Sequence, residues 1–153
     1  MNIYMKEANK EVLINQETNF KNGGPFGAVI VKDGKIIAKA HNTVLKDQDA
    51  TAHAEINAIR KASKVLNTHD LTGCEIYTTC YPCPMCLSAC IWANIKTIYY
   101  GNTKEDAEKL NFRDNYIYKV FENPNKELQL IQLDRKETIK AFNEFENQDH
   151  NIY

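Results

Sequence analysis

Apolar positions along this chain recur with two spacings, and the switches between them mark out its elements. From about Ile3 to Asn19 they fall at mixed helical spacing, which predicts a first helix broken by Gly23-Gly24-Pro25. Phe26 to Val31 and Lys35 to Ala40 read as two strands around Lys32-Asp33-Gly34, a hairpin in which Asp-Gly accepts positive φ. A helix is predicted from near Ala52 to about Val65, then a buried strand from Glu75 to Thr79 bounded by Gly73. A short helix follows from about Pro84, where proline suits the first turn, to near Asn94. Lys96 to Tyr100 reads as a strand stopped by Gly101, and the polar stretch from Asn102 to Asn115 holds a short helix. Leu128 to Leu133 reads as a last strand and Arg135 to Glu146 as a terminal helix. Five strands interleaved with helices predict one α/β domain over residues 1–153, a three-layer αβα sandwich around a mixed five-stranded sheet.

Length and composition fit that picture. A chain of 153 residues with 43% apolar and 25% charged residues suits a single domain with a sizeable core. The net charge of −1 offers no basic stripe for a polyanion, which favours a small neutral substrate over nucleic acid. No apolar run approaches the roughly 20 residues that cross a bilayer, and the first residues lack the layout of a signal peptide. Cys74, Cys80, Cys83, Cys86 and Cys90 crowd into one stretch and are odd in number, unlike a disulfide framework. A reducing cytoplasm is the expected location.

The chemistry concentrates in two short segments, His53-Ala54-Glu55 and Pro82-Cys83-Pro84-Met85-Cys86. A structural zinc takes four protein ligands, whereas a catalytic zinc takes three and keeps one position open for water. His53, Cys83 and Cys86 make three, and Glu55 is placed to carry protons without binding metal. Both segments fall at predicted helix starts, where free N–H groups and the helix dipole favour thiolates and developing anions. A C-x-x-C by itself is weak evidence, shared by redox motifs and zinc ribbons. The ribbon needs a second C-x-x-C, and Cys74, Cys80 and Cys90 have the wrong spacing; they read as small buried apolar groups. The combination of H-x-E with P-C-x-x-C is the signature of zinc-dependent nucleobase deaminases.

Beyond that signature, Gly23-Gly24-Pro25-Phe26-Gly27-Ala28-Val29-Ile30-Val31, Thr51-Ala52-His53-Ala54-Glu55, Cys83-Pro84-Met85-Cys86 and Phe112-Arg113-Asp114-Asn115-Tyr116-Ile117-Tyr118-Lys119 resemble the bacterial guanine deaminases of the cytidine-deaminase superfamily. The resemblance runs from about Asn22 to the last tyrosine, and its first half is shared with tRNA adenosine deaminases. It implies one zinc per subunit and hydrolysis of guanine to xanthine and ammonia. It also implies that Asn42 reads the purine edge, since an amide both donates and accepts, and that Asp114 assists proton movement. Phe26 and Trp92 would line the pocket. On residue type alone, Asn42 reads equally as a turn residue, Asp114 as a solvated or capping acid, and both aromatics as core. The resemblance further implies a homodimer that exchanges its C-terminal segment, about residues 134–153, so that Tyr153 closes the partner's site; a chain end by itself is expected to fray. Tyr81 departs from the acid that much of the superfamily carries before Pro82.

Two rival functions share the zinc core. A tRNA adenosine deaminase would need a basic RNA-facing surface, and a deaminase of guanosine, cytosine or a triazine differs only in the pocket. A non-catalytic zinc module would have no use for Glu55.

Overall fold

The computed structural model describes all 153 residues, in two compact units, Met1–Tyr118 and Lys119–Tyr153. Helix α1 (Ile3–Glu17) opens the first unit, with the Asn2 side chain accepting from the amides of Tyr4 and Met5 at 2.9 and 3.1 Å. That satisfies two of the donors that a helix start leaves unpaired. Strands β1 (Gly27–Lys32) and β2 (Lys35–His41) form the expected hairpin, closed by Asp33 and Gly34 at φ of 49° and 73°. These two left-handed residues match the twist of the flanking strands.

A four-residue helix, α2 (Val44–Asp47), leads to α3 (Ala54–Leu66). Strand β3 (Cys74–Cys80), helix α4 (Pro84–Trp92) and strand β4 (Thr97–Asn102) form a β-α-β unit, followed by α5 (Lys104–Lys109) with a Thr103/Asp106 capping box. Helix α6 (Asp114–Glu122) starts in the first unit and continues into the second, which adds α7 (Pro124–Glu127) and α8 (Arg135–Glu146). No helix is long and apolar enough to cross a membrane.

The sheet order is β2-β1-β3-β4, antiparallel except for the parallel β3–β4 pair. Four strands are present, against five expected. Residues 128–134 form no ladder: Leu128, Leu130, Ile131 and Leu133 are exposed, and no other strand lies within residues 119–153 to pair with them. A strand exists only through its partner's hydrogen bonds, which an apolar run cannot announce. Gly101 lies inside β4 and does not end it, because the ladder to β3 continues through Cys80–Asn102. Helix α6 was not anticipated; its segment reads as a motif with few helix signals before Tyr116.

Strand alternation divides the core. Ala28 and Ile30 face one side with Ala54, Ala58, Ala62, Leu71, Ile76 and Cys90, while Val29 and Val31 face the other with Ala8, Tyr77, Tyr4 and Met5 of α1. The sheet thus has α1 on one face and α3 with α4 on the other. Ala54, Ala58 and Ala62 are fully buried one helical turn apart. Small side chains on this stripe let α3 lie close to the sheet, which holds its N-terminus over β3. We expect Ala58→Leu to cost about 1–3 kcal/mol through overpacking, lowering Tm by several degrees, while Lys64→Ala on the outer face changes it little. Thermal unfolding of the zinc-loaded protein measures both, and equal Tm for Ala58→Leu and wild type would refute the close-packing reading.

Candidate active site

Two helix starts and one strand build the site. His53 is the N-cap of α3 and Cys83 the N-cap of α4, both with extended backbone, and Cys86 lies one turn into α4. Neither cap uses its side chain to bond its own helix. Both are therefore directed to each other: His53 Nδ1 is 3.5 Å from Cys83 Sγ and 3.5 Å from Cys86 Sγ. The three ligand atoms all lie within 4.8 Å of one another. Zinc with Zn–S of about 2.3 Å and Zn–N of about 2.0–2.1 Å in tetrahedral geometry sets such atoms roughly 3.6 Å apart. The observed spacing fits that ion, and no fourth Cys, His, Asp or Glu joins the cluster.

The electrostatics agree. The Cys83 thiol is drawn well below the ordinary range, first by a hydrogen bond from Cys86 and also by His53, and burial opposes this. Cys86 is raised by the same hydrogen bond and by burial. Zinc binding requires both sulfurs as thiolates and so releases the proton that this hydrogen bond implies. Burial works to lower His53, but the hydrogen bond and charge of Cys83 raise it on balance.

Glu55 sits in the first turn of α3, nearly inaccessible to solvent. Its Oε1 accepts from the Thr78 hydroxyl at 2.8 Å, and its Oε2 lies 3.4 Å from Cys86 Sγ. Thr78 thereby fixes the carboxylate from β3 and leaves one oxygen on the ligand side. Burial pushes the Glu55 carboxyl up, countered in part by the Thr78 hydrogen bond. A buried carboxylate raised in this way holds a proton more readily than a solvated one.

A cavity of about 500 Å³ opens over this group, within the range of small-molecule sites. His53, Glu55 and Cys83 form part of its wall, with Asn42, Phe26 and Asp114 around them. Phe26 packs edge-on against Phe112 at 4.8 Å between ring centroids. Asp114, at the start of α6, is raised by burial first and then by the negative charge of Cys83. Asn42 is buried, and its Oδ1 accepts from the amides of Gly24 at 3.3 Å and Val44 at 3.1 Å. The acceptor half of this amide is thus engaged by two amides of its own loop. Its NH₂ group is what it has to offer.

Trp92 lies apart from these residues. It ends α4 with 67% of its surface exposed and is not on the cavity wall. The cause is helical phase: Cys86 and Cys90 take the inward face of α4, and Trp92 falls two residues past it. Tyr153 belongs to the second unit and is 80% exposed. Cys80, expected as inert filling, is buried yet contributes to the wall, as does Tyr81. Sequence reasoning missed Thr78, Phe20 and Phe112. The predicted strand placed Thr78 inside, but nothing in residue type marks which buried threonine meets the carboxylate.

Known proteins share this arrangement. Residues 2–102 match the family model described as the cytidine and deoxycytidylate deaminase zinc-binding region. Guanine deaminase of Bacillus subtilis (strain 168) is 47% identical over 127 residues, covering 82% of this chain and 81% of that protein. A tRNA-specific adenosine deaminase of Aquifex aeolicus (strain VF5) is 50% identical, but over only 77 residues, 50% of this chain and 51% of that one. The X-ray structure of the Bacillus subtilis guanine deaminase matches 100% of this chain and 99% of its own with a TM-score of 0.90 at 41% identity. A guanine deaminase structure from Nitrosomonas europaea matches 71% of this chain and 62% of its own, at a TM-score of 0.66 and 32% identity.

Elemental analysis of the purified protein is expected to find a single zinc per chain. Cys86→Ser should weaken zinc by far more than the ~10–100-fold typical of losing an outer partner, while Thr78→Val keeps it; full zinc occupancy in Cys86→Ser under competition with a chelator would exclude that ligand. With a three-ligand metal cluster, a buried carboxylate beside it and a family model spanning both, the chain belongs to the cytidine and deoxycytidylate deaminase zinc-binding family.

Proposed function

We propose that this protein hydrolyses guanine to xanthine and ammonia. The observation that carries the reading is a set of three metal ligands with Glu55 buried beside them at the wall of a purine-sized cavity. The likeness to a protein named guanine deaminase, in sequence over 82% of the chain and in structure over all of it, supports it.

In the reaction, a C–O bond forms at the ring carbon bearing the amino group and the C–N bond breaks. When held by His53, Cys83 and Cys86, zinc supplies Lewis-acid activation of water. Glu55 takes the water's proton, gives it to a ring nitrogen, and returns a proton to the departing amine. Thr78 keeps the carboxylate aimed at that position throughout. Asn42 donates from its NH₂ to an acceptor on the base, and Phe26 with Phe112 gives an apolar wall against which a planar ring stacks. Asp114 receives or relays a proton on the amino side, where its raised affinity for protons is useful. Five free cysteines, two of them metal ligands, suit a reducing cytoplasm.

The active form in this reading is a homodimer that exchanges its C-terminal segments, with Tyr153 closing the partner's site. In support, Leu130, Ile131, Leu133, Phe142, Ile152 and Tyr153 are all exposed on the chain taken singly, more apolar surface than an isolated tail would keep in water.

Incubation with guanine, guanosine, cytosine, adenosine and a tRNA anticodon hairpin, read by ammonia release, tests the substrate. Release from guanine is expected, with Glu55→Ala retaining zinc but losing about 10²–10⁴-fold in kcat. Release from the hairpin alone would overturn the guanine reading, and a Glu55→Ala rate within tenfold of wild type would remove Glu55 as proton carrier. Deleting Asn151-Ile152-Tyr153 should raise KM for guanine without loss of zinc; unchanged kinetics would leave the tail no part in the site.

A further inference from the structure

Asn15 lies in the last turn of α1, on the opposite face of the sheet from the metal ligands, and none of the chemistry above calls for it. It is nonetheless wholly buried, an unusual place for an asparagine. Its Nδ2 donates to two main-chain carbonyls, Gly24 O at 2.9 Å and Asn42 O at 2.8 Å. Its Oδ1 is buried with no hydrogen-bond partner. A group left in that state is costly, so whatever keeps this asparagine works through the two donated bonds. Both end on residues of the cavity wall.

The two carbonyls belong to segments that hold each other's conformation. The Gly24 amide donates to Asn42 Oδ1, as does the amide of Val44, and the Asn42 amide donates to Phe26 O at 3.1 Å. Packing there is tight enough that a Cβ on Gly23 would sit 2.3 Å from Asn42 O and 2.4 Å from Asn42 Oδ1. The same turn of α1 also shapes a third piece of wall. The main-chain carbonyl of Asn15 accepts from the Phe20 amide at 2.8 Å, and Phe20, with φ of 57°, reaches the cavity from a left-handed turn that bulky residues rarely adopt. Further along the same face of α1, Glu11 bonds His41 Nδ1 at 2.8 Å and Glu7 bonds Lys39 at 3.1 Å. One helix face is thus zipped to the end of β2, with Asn15 at the last tooth.

We infer that Asn15 is a positioning residue for substrate recognition: it clamps the Gly24 and Asn42 backbones so that the Asn42 amide keeps its oxygen on the loop and presents only its NH₂ to the base. Free of that clamp, the Asn42 side chain can turn over and offer an acceptor, and the donor pattern read by the pocket blurs. The role is in binding, not in the chemical step, because neither Glu55 nor a zinc ligand touches Asn15. It rests on the guanine reading for its kinetic test but not for its structural one.

The experiment compares wild type, Asn15→Leu, Asn42→Ala and the double variant, all zinc-loaded. Asn15→Leu should keep its zinc and a kcat within about threefold, while KM for guanine rises at least tenfold, about 1.4 kcal/mol. The double variant should be no worse than Asn42→Ala alone, since the two act as one unit. Hydrogen exchange at the Gly24 and Val44 amides, which needs no turnover, should accelerate in Asn15→Leu. Asn15→Ser, which keeps one donor, replaces the leucine variant if that one fails to fold and should fall between it and wild type. A KM within twofold of wild type, additive losses in the double variant, or unaltered exchange at both amides would each overturn the proposal. A wild type that holds zinc but ignores guanine would overturn the substrate reading instead, and the exchange measurement would still decide the role of Asn15.

Discussion

One imidazole and two sulfurs brought to 3.5 Å separations are the constraint around which the rest of this structure is arranged. Such a group is unfavourable until a cation fills it, because two buried thiols beside a histidine cannot all be well solvated or well paired. The fold supplies the compensation by aiming two helix N-termini at one point. His53 and Cys83 are caps whose side chains leave their own helices unbonded, and the free amides of both first turns stay near the developing negative charge. Thr78 on β3 then fixes Glu55 at hydrogen-bond range of the same point. The pieces come from three elements, α3, β3 and α4, so the site forms only once the sheet is paired and α3 and α4 are seated on it.

The recognition wall has a different origin from the reactive centre. Zinc ligands and Glu55 belong to the α3–β3–α4 face, whereas Asn42, Gly24 and Phe20 are shaped from α1, across the sheet. In the proposed reaction this separation would let one face hold the hydrolytic chemistry while the other shapes the wall that meets the ring.

Asn42 shows how local bonding narrows what a residue type can do. An amide carries a donor and an acceptor, but two main-chain N–H groups occupy the oxygen here, and only the nitrogen is left for a ligand. Trp92 makes the same point in the other direction. On residue type it read as core, yet the phase of α4 is set by Cys86 and Cys90, which turn it outward on the single chain. The run at 128–133 had strand composition without strand structure, since a ladder needs a second backbone and none is offered within its unit.

Local patterns were enough for whatever depends on neighbours in the chain. The Asp33-Gly34 turn, the helix over Arg135–Glu146, the helix starts near Ala52 and Pro84, and the three candidate ligands with their spare carboxylate follow from spacing and side-chain chemistry over a few residues. Contacts between distant segments were not legible there: Thr78 to Glu55 spans 23 residues, Asn15 to Asn42 spans 27, and Cys83 to His53 spans 30. Partnership across such gaps depends on strand register and helix phase, which are settled by how the whole core packs. Chemical capacity was therefore written locally, while the geometry that turns it into a site came only from folding.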